Sequence, residues 1–198
     1  MTLAQADGSR HPAADAVVWL PGVTPTEAPP GAGPARIAQQ RKTFEPHVEV
    51  VPAGTSVAFP NLDRIYHNVF SLSEIARFDL GLYRNGASRS VAFAKPGVVR
   101  IYCNIHPSMS AFLVVVDGHA YAKTGLDGGA LLPPVQPGSY RMSVWHERGG
   151  EKTLDVVVRA GAVTPVEVTL DAAQWRPEAH KNKYGKDYPP PDDDQTRY

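Results

Sequence analysis

At 198 residues the chain is long enough for one domain or two small ones, each with a real core. Its 20 Lys and Arg balance 20 Asp and Glu, so no global field draws it to nucleic acid or anionic lipid. No apolar run approaches the roughly 18 residues needed to span a membrane, a single cysteine excludes an internal disulfide, and 17 Gly with 19 Pro argue against long helices.

In chain order, residues 1–15 are small and polar and read as a flexible arm. The opening MTLAQADGSR has no basic region followed by an apolar stretch, so no secretory signal is visible in it. Ala16 to Leu20 is a buried-strand candidate that opens the first domain. A proline-rich loop, 21–34, follows, and 35–43 reads as a short helix or an extended edge. Strands are predicted at 47–51, 56–59, 66–71, 88–93, 98–102 and 112–116, separated by Pro52-Ala-Gly54, Pro60-Asn-Leu-Asp63 and Lys95-Pro-Gly97 turns. Residues 71–86 read as irregular, with a helical turn near 73–76. Short strands at this spacing imply an all-β sandwich or barrel.

Further strands are predicted at 120–123, 139–146, 153–159 and 164–169, with turns at Leu126-Asp-Gly-Gly129 and Gln136-Pro-Gly138. The expected division is therefore a first domain over 16–118, a smaller β-sandwich over 119–171, and a largely disordered tail over 172–198 ending in PPPDDDQTRY. The HKNKYGK cluster at 180–186 falls in that tail and reads as solvated.

The strongest chemical signal is Cys103-Asn-Ile-His106-Pro-Ser-Met109 on a short loop between two strands. A thiolate and a thioether beside an imidazole suit copper, and two histidines with one cysteine plus a weak methionine bond define a blue-copper electron-transfer site. The second histidine must come from elsewhere. His67, in Tyr66-His67-Asn68-Val69-Phe70, sits where a strand starts after a turn. His47 reads as a surface strand residue, His146 as the end of a strand carrying a buried Trp145, and His11, His119 and His180 lie outside the first domain.

These segments resemble the plastocyanin and amicyanin branch of the cupredoxins. The resemblance rests on Phe44-Glu-Pro-His47, Val51-Pro-Ala-Gly54, Val57-Ala-Phe-Pro-Asn61, His67-Asn-Val-Phe70 and the Cys-x2-His-x2-Met loop, and it covers residues 44–118. It implies a Greek-key β-sandwich holding one copper ion, cycling between Cu(I) and Cu(II), through His67 Nδ1, Cys103 Sγ, His106 Nδ1 and, weakly, Met109 Sδ. It further implies that Asn68 and Asn104 hydrogen-bond across the two ligand loops, that His106 is the electron exit, and that the compartment is the periplasm, with a signal segment lost. The loop departs from its amicyanin-like counterparts in having Asn104-Ile105 where they have Thr-Pro.

Residues 119–171 resemble carboxypeptidase-regulatory-like or transthyretin-like modules through Thr124-Gly-Leu-Asp-Gly128, Val135-Gln-Pro-Gly-Ser-Tyr140 and Val144-Trp-His146. The whole order of segments is similar to bacterial plastocyanin-like and methylamine-utilisation proteins, which names no substrate. The expected role is electron transfer between unidentified donor and acceptor proteins, with no nucleic acid and no membrane span. A copper carrier and a metal-free structural sandwich are the alternatives. The absence of a Gly-x-Ser-x-Gly elbow, a His-Glu-x-x-His helix and a phosphate-cradling glycine loop argues against an enzyme.

Overall fold

A computed structural model of the chain describes residues 1–27, 33–177 and 180–188. Among these residues the structure is all β. The strands are β1 (Thr2–Ala4), β2 (Arg10–Pro12), β3 (Val17–Trp19), β4 (Ala38–Gln40), β5 (Thr43–Glu45), β6 (Val48–Pro52), β7 (Thr55–Pro60) and β8 (His67–Ser73). They continue with β9 (Ala76–Tyr83), β10 (Ser88–Phe93), β11 (Gly97–Tyr102), β12 (Ser110–Val116), β13 (Tyr121–Lys123), β14 (Gly138–His146), β15 (Gly150–Val158) and β16 (Thr169–Asp171). No helix is long and apolar enough to cross a membrane among them.

The chain divides into two compact units, and the division differs from the expected one. One unit joins 1–32 to 116–177; the other joins 33–115 to 178–198. In the first, β3 is an inner strand of the sheet β13-β3-β14-β15, where Val18 pairs with both Ala122 and Val144. Ala16 to Leu20 therefore does not open the domain that carries the Cys-x2-His-x2-Met loop. The segment is apolar on both faces, and such a run carries no period to say which sheet receives it.

The first fifteen residues are not an arm either. β1 lies between β16, parallel, and β2, antiparallel, with Leu3 buried in the unit's core. The Met1 ammonium donates to the Gly128 carbonyl at 2.6 Å. Gly128 has φ +74°, and a Cβ there would lie 2.3 Å from the Met1 carbonyl oxygen, so the turn 124–128 needs glycine at this position.

In the second unit a five-stranded sheet, β6-β12-β11-β8-β9, is one layer. The other is the β7–β10 pair, extended by the β4–β5 hairpin through the bridges Arg36↔Ala58 and Gln39↔Asn61. Phe59, Val69, Phe93, Val99, Ile101, Leu113 and their neighbours fill the space between them. Truncating a fully buried phenylalanine such as Phe59 in this core costs about 3–5 kcal/mol.

Residues 71–86, expected to be irregular, instead contain β9, which forms a hairpin with β8. Phe78 and Leu80 pack against the core while Arg77 and Asp79 face outward, a two-residue alternation that breaks at Gly81. Residues 35–43 resolve as the extended alternative, the β4–β5 hairpin.

Candidate metal centre

Strand order and side-chain alternation bring the ligand candidates to one place. Along β11, Val99 and Ile101 point into the core, and the same parity carries Cys103 inward. Along β12, Ala111, Leu113 and Val115 point inward, and Met109 shares their parity. His67 opens β8 two residues before the inward Val69, next to a register shift between Asn68 and Phe70. Because β12, β11 and β8 are adjacent and Tyr102 pairs with both Ser110 and Phe70, all three chain ends meet at the same end of the sheet.

Among the described residues, His67, Cys103 and His106 are a buried group whose ligand atoms all lie within 4.8 Å of one another. His67 Nδ1 and His106 Nδ1 are 3.1 Å apart, and Cys103 Sγ lies 3.7 Å from His106 Nδ1. Atoms bound to one cation at about 2.0–2.3 Å stand roughly 3–4 Å from one another, so the spacing suits a shared ion. Met109 is fully buried in the same cluster as Cys103. The loop is closed by backbone bonds from Met109 N–H to the His106 carbonyl and from Cys103 N–H to the Met109 carbonyl.

The protonation pattern also fits. Asp63 Oδ2 lies 2.8 Å from His67 Nε2. Burial opposes the Asp63 charge, but hydrogen bonds from the Lys42 N–H, His67 and the Arg41 N–H outweigh it and hold the pKa below the ordinary carboxylate value. An ionised carboxylate only accepts, so His67 donates from Nε2 and turns its Nδ1 toward His106. Burial, then the neighbouring His67 and Lys42, push the His106 pKa down to about 4, against the pull of Asp63. The His106 ring is thus neutral at neutral pH, as a metal ligand must be.

Asp63 was not singled out in the sequence. It also organises the backbone around the site: its two oxygens accept from Arg41 N–H at 2.6 Å and Lys42 N–H at 2.9 Å. Those residues form the two-residue β4–β5 turn with both φ values at 55°, a left-handed conformation that costs a non-glycine residue of order 1 kcal/mol or more. One carboxylate therefore holds a strained turn and orients a metal-site histidine. The available signal was its place in Pro60-Asn-Leu-Asp63, four residues before His67.

The expected asparagine pairing takes a different form. Asn68 Nδ2 donates to Asp79 Oδ1 at 2.7 Å, while Asn104 Oδ1 accepts from the Lys183 N–H at 2.9 Å. Lys183 Nζ closes the connection by donating to Asp79 Oδ2 at 2.7 Å. The two asparagines are linked through an acid on β9 and a lysine from the C-terminal segment.

That segment corrects a further expectation. Residues 180–188 pack against the second unit: His180 stacks on Tyr102 at 4.1 Å, and Tyr188 Oη donates to the Cys103 carbonyl at 2.6 Å. The charge-rich HKNKYGK masked the aromatic surface that His180 and Tyr188 contribute. The PPPDDDQTRY end, 189–198, lies outside the described residues.

The remaining histidines stay apart from the site. His146 accepts from the Arg148 N–H at Nδ1, so its Nε2 donates to the Ala14 carbonyl, and both nitrogens are used. His47 is exposed, with its ring edge on Phe112 and Nδ1 3.2 Å from the Ser110 carbonyl.

No family model matches the chain, and no curated protein sequence does. Among solved structures it is similar to a purple cupredoxin from Nitrosopumilus maritimus, at 25% identity and TM-score 0.38, over 41% of this chain and 98% of that one. It is also similar to a Cu(I) amicyanin variant at 20% identity and TM-score 0.40, over 50% of this chain and 97% of that one. A copper-containing nitrite reductase from Thermus scotoductus SA-01 matches at 25% identity and TM-score 0.40, over 46% of this chain and 25% of that one. Cupredoxins are thus among its structural neighbours, and the reading of the metal centre rests on its own side chains.

Proposed function

We propose that the second unit is a cupredoxin-type copper domain that carries single electrons between partner proteins, and that the chain is not an enzyme. The observation that carries this reading is the convergence of two imidazoles and one thiol on a common point, with the Met109 thioether buried in the same cluster as Cys103. Two nitrogens, a thiolate and a weak thioether suit copper in both oxidation states. When bound, the ion supplies a one-electron couple.

The protein's own residues do the rest. His67 is oriented by Asp63, and the loop 103–109 is closed on itself by backbone bonds from Cys103 N–H to the Met109 carbonyl and from Met109 N–H to the His106 carbonyl, which limits rearrangement when the ion changes charge. Cys103 and Met109 are fully buried, keeping water from the sulfurs. His106 is 6% exposed, against 0% for His67, and is the natural exit for the electron.

The end of the unit that carries the site also suggests the partner's chemistry. Turns at 41–42, 61–66 and 84–87 meet there, joined by bonds from Arg41 and Lys42 to Asp63 and from Gly86 to Asn61. They present Arg41, Lys42, Arg64 and Arg84, all exposed, around exposed Leu62 and Tyr66. The net charge is zero overall, yet residues 33–115 with 180–188 hold twelve Lys and Arg against six Asp and Glu. An apolar patch with a cationic rim fits a redox partner whose docking face is acidic. The periplasm is the proposed compartment.

The test is an optical spectrum of the copper-loaded protein. An intense thiolate-to-copper band near ~600 nm is expected, with one copper per chain, and Cys103→Ser is expected to abolish it. Copper bound without such a band points instead to a carrier, and no stoichiometric copper points to a structural sandwich.

A further inference from the structure

The outer face of the five-stranded sheet carries Phe70 and Tyr102, paired across β8 and β11 with ring centroids 5.9 Å apart. Phe70 is fully buried although it is not part of the core between the layers. Residues 180–188 lie over this face. His180 stacks on Tyr102, and Tyr188 sits edge-on to His180 at 5.2 Å. Lys183 and Tyr184 line a cavity of about 280 Å³ together with Phe70 and Asp79.

The polar contacts of the segment fall on residues next to the metal-site side chains. Tyr188 holds the carbonyl of Cys103 itself. The Lys183 N–H holds Asn104, the residue after it, and Lys183 Nζ holds Asp79, which holds Asn68, the residue after His67. Burial opposes the Asp79 charge, but hydrogen bonds from Lys183, Asn68 and the Gly81 N–H keep it ionised.

We propose that residues 180–188 are a clasp that positions the metal-binding loop, with Tyr188 and Lys183 as positioning residues for Cys103 and His67. The clasp restrains both ligand-bearing elements before metal arrives and slows escape of the ion afterwards. The second effect rests on the copper reading; the first does not. Metal retention thereby depends on a segment some 70 residues beyond the loop in sequence, so a partner that lifts it would loosen the site.

The experiment uses the full chain with Tyr188→Phe, Lys183→Gln and Lys183→Arg. Amide hydrogen exchange of residues 103–109 in the metal-free protein is expected to rise roughly fivefold in each of the first two. Lys183→Arg, which keeps the ion pair with Asp79, is expected to exchange at the wild-type rate, and the amides of Val57 and Phe59 in β7 to stay unchanged in all three. In the Cu(I)-loaded protein, capture of the ion by bathocuproine disulfonate is expected to speed up by a similar factor in the first two. Unchanged loop exchange in both Tyr188→Phe and Lys183→Gln overturns the clasp, and so does exchange that rises equally in β7. Failure of the wild-type chain to take up copper overturns the copper reading while the exchange measurement still decides the clasp.

Discussion

The carboxylate of Asp63 accepts from His67 Nε2 at 2.8 Å, and this contact decides which nitrogen the imidazole presents to the site. The same carboxylate receives two backbone N–H groups from a left-handed turn. Ligand orientation and backbone strain therefore meet at one side chain.

Asp63→Ala is expected to lose both effects. The turn at 41–42 loses two charge-assisted hydrogen bonds and His67 loses its anchor. Because Asp63 is partly exposed, water recovers part of this, leaving a cost of about 2–3 kcal/mol. Copper affinity is expected to fall about 10–100-fold. A urea unfolding curve and a competitive Cu(I) titration check the two separately; unchanged affinity would show that His67 needs no such partner.

Replacing Met109 by Leu keeps the buried volume and costs under about 1.5 kcal/mol. It removes a weak electron donor to Cu(II), so the reduction potential is expected to rise while the metal stays bound. Voltammetry of the variant reads this directly. Loss of the ion would make the thioether a principal ligand, and an unmoved potential would make Met109 simple core packing.

The metal-free protein is expected to lose stability on acidification. His106, His146 and His180 all have pKa values lowered, first by burial, with His106 at about 4. The native state then binds fewer protons than the unfolded chain, so the stabilisation is complete above about pH 6.5 and fades as pH falls, for His106 down to about 4. Asp63 and Asp79, also lowered, add a loss below about pH 4. The urea midpoint should drop between pH 7.5 and 5; a constant midpoint would contradict the burial of these rings.

Electrostatic docking is expected to show in the kinetics with small redox reagents. Oxidation of the Cu(I) protein by hexacyanoferrate, an anion, should be fast at low salt and slow as ionic strength rises. Arg64→Glu with Arg84→Glu is expected to reduce that rate about tenfold, while Arg77→Glu with Lys95→Glu changes it less than about twofold. Equal responses from both pairs would mean that only the total charge matters.

The loop Cys103 to Met109 was legible because soft ligands at short spacing are a local property of the chain. The β class was legible from turns and alternation, and β10 falls at 88–93 as its pattern predicts. Asp63, the clasp and the division of the chain were not, because each depends on contacts between residues far apart in sequence.

The sequence alone determined which atoms were available to bind a soft cation and that short strands would present them, since residue type and two-residue periodicity are written locally. Only the tertiary structure decided that Val17–Trp19 joins β14, that Asp63 sets the His67 tautomer, and that Tyr188 reaches the carbonyl of Cys103. Pairing register and long-range hydrogen bonds are settled by packing of the whole chain, where the burial of apolar faces selects among partners that look equivalent along the sequence.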